Sequence, residues 1–301
     1  MEKAIKRFAC SACGRCCSRS PEIELGEAAA LADVFVFRLM FRIYWLPKQL
    51  KDFLVTDPQG PNASEKFYSR KRLLSVFAAR ERSVGTRRTG KLVEYSKYLT
   101  ISAITLETKA DVCSALNDTQ SGIYDRRPLS CQSVPFHYSR TEASPEEDLA
   151  AFVTTPGYRC DTGEGAPIVL EGGRIVAADF KAAREAAMIV ARKDKPWAEA
   201  ITRRLKAPSP CYPGFPTLDE VEANASFAAT TVSMRVAWQI ATDAGMLSQV
   251  ECNRLVELQL RKISEQLKNG CSAETRETLA EMQVEYREHL HAEYGDRVLI
   301  G

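Results

Sequence analysis

Four cysteines, Cys10, Cys13, Cys16 and Cys17, fall within eight residues of a chain that carries ten cysteines in 301 residues. A spacing of two residues lets a tight turn aim successive sulfurs at one centre while backbone N–H groups point at them. Gly14 supplies the permissive backbone that such a turn needs. Three cysteines so spaced, completed by a remote cysteine, is also how bacterial ferredoxins hold an iron–sulfur cluster. Cys16 and Cys17 do not serve one ion equally well, because neighbouring side chains diverge; a bridging sulfur, a second metal or an uncoordinated thiol each explains the pair. Four thiolates around one dication leave about −2 on the site, and Lys6, Arg7, Arg15 and Arg19 flank the cluster to offset it. Incidental thiols or a disulfide pair are the competing reading. It is the weaker one for clustered cysteines in a reducing compartment.

Other chemistry is sparse. No Gly-rich phosphate loop, nucleophile elbow or Ser/His/Asp arrangement occurs. His137 stands six residues after Cys131, but no spacing rule selects it as a ligand. His289 and His291 are two apart on an expected helix and face different ways. Cys252 reads as a small buried side chain of an amphipathic helix. Cys211 and Cys271 lie outside the cluster. With 45% hydrophobic residues, 41 basic and 39 acidic side chains and a net charge of +2, the composition is that of a globular chain and gives no global attraction to nucleic acid or membrane. Charge is nevertheless uneven. Lys66 to Lys97 holds ten Lys/Arg against Glu81 and Glu94, with Phe67, Tyr68 and Phe77 interleaved. A solvated helix and loop balanced by acidic segments such as Glu142 to Asp148 is the preferred reading of that stretch. Docking of nucleic acid or an acidic partner is the alternative.

These residues must be positioned by a mixed set of elements. A helix is expected from Leu25 to about Trp45, its first turn favoured by Glu22, Glu24 and Glu27 and its arginines, Arg38 and Arg42, sharing one face. Asp57 to Ser64 reads as a loop, Tyr98 to Glu107 as a strand, and Ile168 to Val176 as a hairpin turning at Gly172-Gly173. From Ala178 to about Leu205 the chain reads as helix with a break at Pro196. Ala207 to Pro216 reads as a linker or a rigid loop. Thr217 with Glu220 and Ser248 with Glu251 have capping-box spacing, and Gly270 and Gly295 suit helix C-termini. The apolar stretch Val34 to Leu46 is too short to span a bilayer, and the first residues lack the apolar run of a secretory signal. The expectation is therefore a cytoplasmic protein with no membrane partner, whose thiols stay reduced.

The run Phe8-x-Cys10-x2-Cys13-Gly14-Arg15-Cys16-Cys17 resembles the signature of the CxxCxxCC family of zinc- or iron-chelating cysteine-cluster proteins. That family's pattern continues with a helix rich in Leu and Glu, a cysteine, Cys-x-Ile-Tyr-x-x-Arg-Pro-x-x-Cys, and a later cysteine near glycines. Here the later elements are Cys113, then Ser121-Gly122-Ile123-Tyr124-Asp125-Arg126-Arg127-Pro128-Leu129-Ser130-Cys131, then Cys160-Asp161-Thr162-Gly163-Glu164-Gly165. The resemblance covers roughly the first 165 residues, with a long insertion before Cys113. Ser121 stands where the family carries a cysteine, and a hydroxyl is a poor ligand for soft metals beside thiolates. The resemblance implies metal ligation by Cys10, Cys13, Cys16, Cys17, Cys113, Cys131 and Cys160. A more distant similarity to flagellin lysine N-methylase implies, by analogy, an iron–sulfur enzyme.

Together these readings predict an α-rich α+β fold. Residues 1–177 form a cysteine-cluster metal-binding lobe with a few short strands and a basic insertion near 56–97, and residues 178–301 form a helical lobe. The expected function is chelation of zinc or iron, the iron in one version as an iron–sulfur cluster. One alternative is an iron–sulfur-dependent methyltransferase or oxidoreductase. Another is a structural zinc protein whose helical lobe binds a protein partner.

Overall fold

The computed structural model describes residues 4–11, 13–16, 21–56, 63–88, 91–106, 113–136, 145–207, 210, 212–224 and 229–294. It is a mixed α+β structure with 54% helix, 19% strand, several small sheets and a helical C-terminal part. The first elements are β1 (Ile5–Arg7), β2 (Glu22–Ile23), α1 (Leu25–Ala30), β3 (Phe37–Pro47), α2 (Leu50–Thr56) and α3 (Ala63–Phe77). A long ribbon follows, β4 (Ala78–Arg88) and β5 (Lys91–Thr105), then the short pair β6 (Leu116–Asn117) and β7 (Gln120–Ser121). Next come α4 (Leu129–Gln132), α5 (Pro145–Val153), β8 (Ile168–Glu171), β9 (Arg174–Ile175) and α6 (Ala178–Leu205). The chain continues with α7 (Leu218–Asn224), β10 (Thr230–Ser233), α8 (Met234–Asp243), α9 (Gln249–Asn269) and α10 (Ala273–Tyr294). Two compact units are built from alternating stretches, the first from residues 1–16, 42–100 and 117–193, the second from 17–41, 101–116 and 194–301.

In the first unit β1, β8 and β9 form an antiparallel sheet, and Gly172 and Gly173 both take positive φ (56° and 73°) to close the β8–β9 turn, as the Gly-Gly pair predicts. One core gathers Phe8, Phe136, Leu149, Val169, Leu170, Ile175 and Phe180. A second, of Leu46, Phe53, Phe67, Leu74 and Tyr98, holds α2 and α3 against β3 and β5, with the Phe53 and Phe67 rings 5.4 Å apart. The expected strand at Tyr98 is present as the second half of β5, but it begins earlier, at Lys91. Much of the basic segment 66–97 is therefore a β-ribbon, where a helix and loop were expected.

In the second unit β10 pairs with the first half of β3, Thr230 opposite Phe41 and Ser233 opposite Arg38, while β2 pairs with the end of β5. Three expectations fail here. The helix from Leu25 stops at Ala30, and Phe37–Pro47 is a strand. Phe, Ile, Tyr and Trp suit a pleated, buried surface, and a strand flanked on both edges reads as a continuous apolar run. Residues four apart share a face in a strand as in a helix, so the Arg38/Arg42 spacing did not discriminate. The C-terminal part also contains β10, where only helix was expected. The expected break at Pro196 is absent too: α6 is one helix with the proline inside it. Buried Ala187, Ala191, Ala200 and Ile201 anchor the helix on both sides of that lost N–H bond.

The capping box at Thr217 forms in full, whereas at Ser248 only the N-cap half is present and the Glu251 carboxylate accepts from Arg254 instead. Thr217 N–H donates to Glu220 Oε2 (2.7 Å) while Glu220 N–H donates to Thr217 Oγ1 (3.3 Å), and Glu251 N–H donates to Ser248 Oγ (3.1 Å). Gly270 ends α9 with φ 84°. Gly295 and most of the 57–64 loop lie outside the described residues. The chain corner at 32–37 is fixed by one polar side chain of α9. The fully buried Gln259 accepts from Phe37 N–H (2.9 Å) and donates to the carbonyls of Ala32 (2.7 Å) and Phe35 (2.6 Å). No helix among the described residues is long and apolar enough to cross a membrane.

Candidate metal centre

The cysteine turn is positioned by a long-range backbone clasp inside the first unit. Ile5 lies opposite Glu171 and Lys6 opposite Leu170 on β8. The pairing continues beyond the strands: Phe8 N–H donates to the Pro167 carbonyl (3.0 Å), and Ala9 and Asp161 exchange both backbone hydrogen bonds (2.7 and 3.0 Å). Ser11 Oγ donates to the Arg159 carbonyl, and Arg7 Nη1 to that of Ala166 (2.7 Å). Phe8 is what makes the clasp worthwhile energetically. It is buried in the first core, its ring 5.8 Å from Phe152, and Cys160 packs against the same cluster. Burying such a ring contributes roughly 2–3 kcal/mol, and Ala9 and Ser11 beyond it are then held alongside Asp161 and Arg159.

The electrostatics follow from that placement. Gly14 adopts φ 70°, the left-handed region that a side chain resists, and the turn sends the Arg15 N–H to the Cys13 sulfur. That hydrogen bond is the chief reason the Cys13 thiol is held below its ordinary value; N–H from Arg159 and the Ser11 hydroxyl act in the same direction, against burial and the neighbouring Cys10. Burial pushes the Cys160 thiol up, and the nearby sulfurs of Cys13 and Cys10 push it further. Three thiols thus feel one another's charge, one of them stabilised as thiolate by backbone donors. Such a donor set suits zinc or iron, and a cation among the sulfurs would offset the repulsion that adds to burial in raising the Cys160 thiol.

Cys10 is exposed, and Cys13, Cys16, Cys131 and Cys160 are half-buried. Cys131 sits on α4, its N–H donating to the Pro128 carbonyl (2.8 Å). The preceding Arg127 stacks on Tyr124 (3.8 Å to the ring centre), and Val134 and Phe136, just beyond, join the Phe8 core. Ser121 ends the β6–β7 pair, and its hydroxyl accepts from Ile123 N–H (3.4 Å), a local bond that needs no ligand role. Cys113 is half-buried in a turn closed by Leu116 N–H to the Cys113 carbonyl (3.0 Å), and it belongs to the second unit. Cys17, His137 and Cys211 lie outside the described residues. Among the described residues no three Cys, His, Asp or Glu side chains converge closely enough to hold a metal ion. Cys252 is fully buried on α9, as expected, and burial raises its thiol. His289 contacts Asn253 Oδ1 (3.2 Å) across α9 and α10. Ser11 and Arg159, which bond to the cysteine turn, were not singled out in the sequence; Arg159 is distant in the chain and no motif marks it.

No family model, curated protein or solved structure matches the chain.

Proposed function

We propose that this protein binds zinc or iron through thiolates of the first unit, with Cys10, Cys13 and Cys160 as the first ligands. Cys16 and Cys131 of the same unit are the further ligands in this reading, as the CxxCxxCC resemblance implies. The observation that carries it is the Ala9–Asp161 backbone clasp, which keeps a cysteine turn beside a cysteine far along the chain. Supporting it are the N–H groups of Arg15 and Arg159 directed at Cys13, since backbone donors to sulfur offset the negative charge that thiolate ligands accumulate. Borderline-soft metals fit these ligands and hard cations do not. The reducing cytoplasm is the compartment in which such thiols persist.

Anaerobic purification followed by elemental analysis tests the proposal. Close to one or more equivalents of zinc or iron is expected in the wild type, with most of it lost in Cys13→Ser and Cys160→Ser and retained in Cys252→Ser. A visible spectrum divides the metals. Charge-transfer absorption marks an iron–sulfur centre and keeps the redox or methyl-transfer alternative open, whereas a colourless protein containing zinc favours a structural site. Metal far below one equivalent in the wild type, or full retention in both Cys13→Ser and Cys160→Ser, overturns the proposal.

A further inference from the structure

The basic segment of the first unit forms a surface whose chemistry differs from that of the rest of the chain. Outside residues 66–97 the protein has 31 basic and 37 acidic side chains, so the +8 of this stretch is segregated against an acidic remainder. The structure divides the segment between α3 and the β4–β5 ribbon. α3 turns Phe67 and Leu74 into the core. It leaves Tyr68, Arg70, Lys71 and Arg72 exposed, Tyr68 by 61%. Tyr68, Lys71 and Arg72 stand three and four residues apart, so a ring and two cations share one helical face. Lys66 is spent on an ion pair with Glu147 (3.0 Å), and Lys97 lies over the Trp45 ring (4.5 Å). No ion pair involving Arg70, Lys71 or Arg72 occurs among the described residues.

Beside this face a cavity of about 250 Å³ opens, lined by Leu46, Pro47, Lys48, Lys71, Ser96 and Tyr98. Two lysines and the buried Ser96 thus border one recess of a size that admits a phosphate group. Lys48 is shared with Glu94 (3.2 Å), which leaves Lys71 as the more available cation. By sequence β4 adds Arg80, Arg82, Arg87 and Arg88 to the same segment.

We propose that this face of the first unit binds single-stranded nucleic acid, with backbone phosphates at Lys71, Arg72 and the Lys48–Ser96 recess and a base stacked on Tyr68. Cations that track phosphates, interleaved with an exposed aromatic ring, are what such strands require, and stacking tolerates any base. An anionic membrane would use the charge and the exposed Leu54 and Val55 of α2 but not the ring of Tyr68. An acidic protein would use the charge alone.

The test is fluorescence anisotropy of full-length protein with a labelled oligonucleotide of about 15 nucleotides. Heparin and vesicles containing phosphatidylserine serve as competitors. Binding should weaken with salt in proportion to the phosphates contacted. Lys71→Glu with Arg72→Glu should reduce affinity at least tenfold and flatten the salt dependence, Tyr68→Ala should reduce affinity about tenfold at unchanged salt dependence, and Lys181→Glu on α6 should leave it unchanged. All substituted side chains are exposed, so circular dichroism should show the fold intact in each. No binding at low salt overturns the proposal. So does Tyr68→Ala with wild-type affinity, which reduces the surface to a general polyanion site, and so does vesicle binding in the absence of oligonucleotide binding.

Discussion

Replacing Gln259 with leucine would remove one side chain and orphan three backbone groups. The Phe37 N–H loses its acceptor, and the carbonyls of Ala32 and Phe35 lose their donor, all at a fully buried position. Leucine has similar volume, so packing changes little and the loss is one of hydrogen bonding. Each buried group left unsatisfied costs about 1–3 kcal/mol. Relaxation of the 32–37 corner recovers part of this, which puts the net loss at roughly 3–6 kcal/mol. For a chain of this size each kcal/mol moves the midpoint by about 2 °C, so Gln259→Leu should melt some 6–12 °C below wild type. Calorimetry and urea denaturation would measure it, with tyrosine and tryptophan fluorescence and far-ultraviolet dichroism compared because a two-unit chain need not unfold in one step. Gln259→Glu supplies the internal control. It keeps the acceptor for Phe37 but aims a carboxylate at two carbonyls, so its folded-state pKa rises. Its stability should therefore be highest at acid pH and fall as pH increases through that raised value. A Gln259→Leu protein that melts within 2 °C of wild type, a loss of about 1 kcal/mol, would refute the reasoning by showing that these groups find other partners.

Gly14→Ala places a side chain where φ is 70°; it should cost about 1 kcal/mol and shorten metal retention against a chelator, read by a colorimetric zinc or iron assay. His289 is held below its ordinary 6.5 chiefly by burial, with Arg235 adding to the effect. The unfolded chain then takes up a proton that the folded one resists, so stability should fall as pH drops below 6.5 and level off under the lowered value. His289→Gln should flatten that slope in melting curves taken across mildly acid pH.

Local signals in the sequence were legible because their causes are local. A Thr or Ser three residues before a Glu satisfies helix N–H groups whatever surrounds it, and Gly172-Gly173 can reach φ values that other residues avoid, so the caps at Thr217 and Ser248 and the β8–β9 turn could be read directly. What failed depends on partners distant in sequence. Val34 to Leu46 is apolar enough for a buried helix or a buried strand, and only β10 and β5 on its edges decide the matter. Proline at 196 forfeits one hydrogen bond, a local cost that packing on either side outweighs. At the candidate site, the cysteine spacing was visible, but the clasp that puts Cys160 beside Cys13 rests on the burial of Phe8 and on β1 finding β8, neither of which has a periodic signature. The basic stretch was legible as charge, while the division of its side chains between a core face and an exposed face required the fold.

Because β1 pairs with β8, the cysteine turn is synthesised long before its platform exists. A ribosome adding about 5–20 residues per second leaves Cys10 and Cys13 without Cys160 and its strand for roughly 8–30 s. During that interval the four clustered thiols are an open, oxidisable ligand set on a nascent chain, reachable by a metal donor or by an oxidant. A metal captured then would arrive at the clasp already seated. Its later bond to Cys160 would close a chain loop of well over a hundred residues, which in the loop-entropy picture removes more freedom from the unfolded protein than a local clip could. The order of synthesis would in that way turn a metal site into a folding checkpoint, passed only when the middle of the chain has been made.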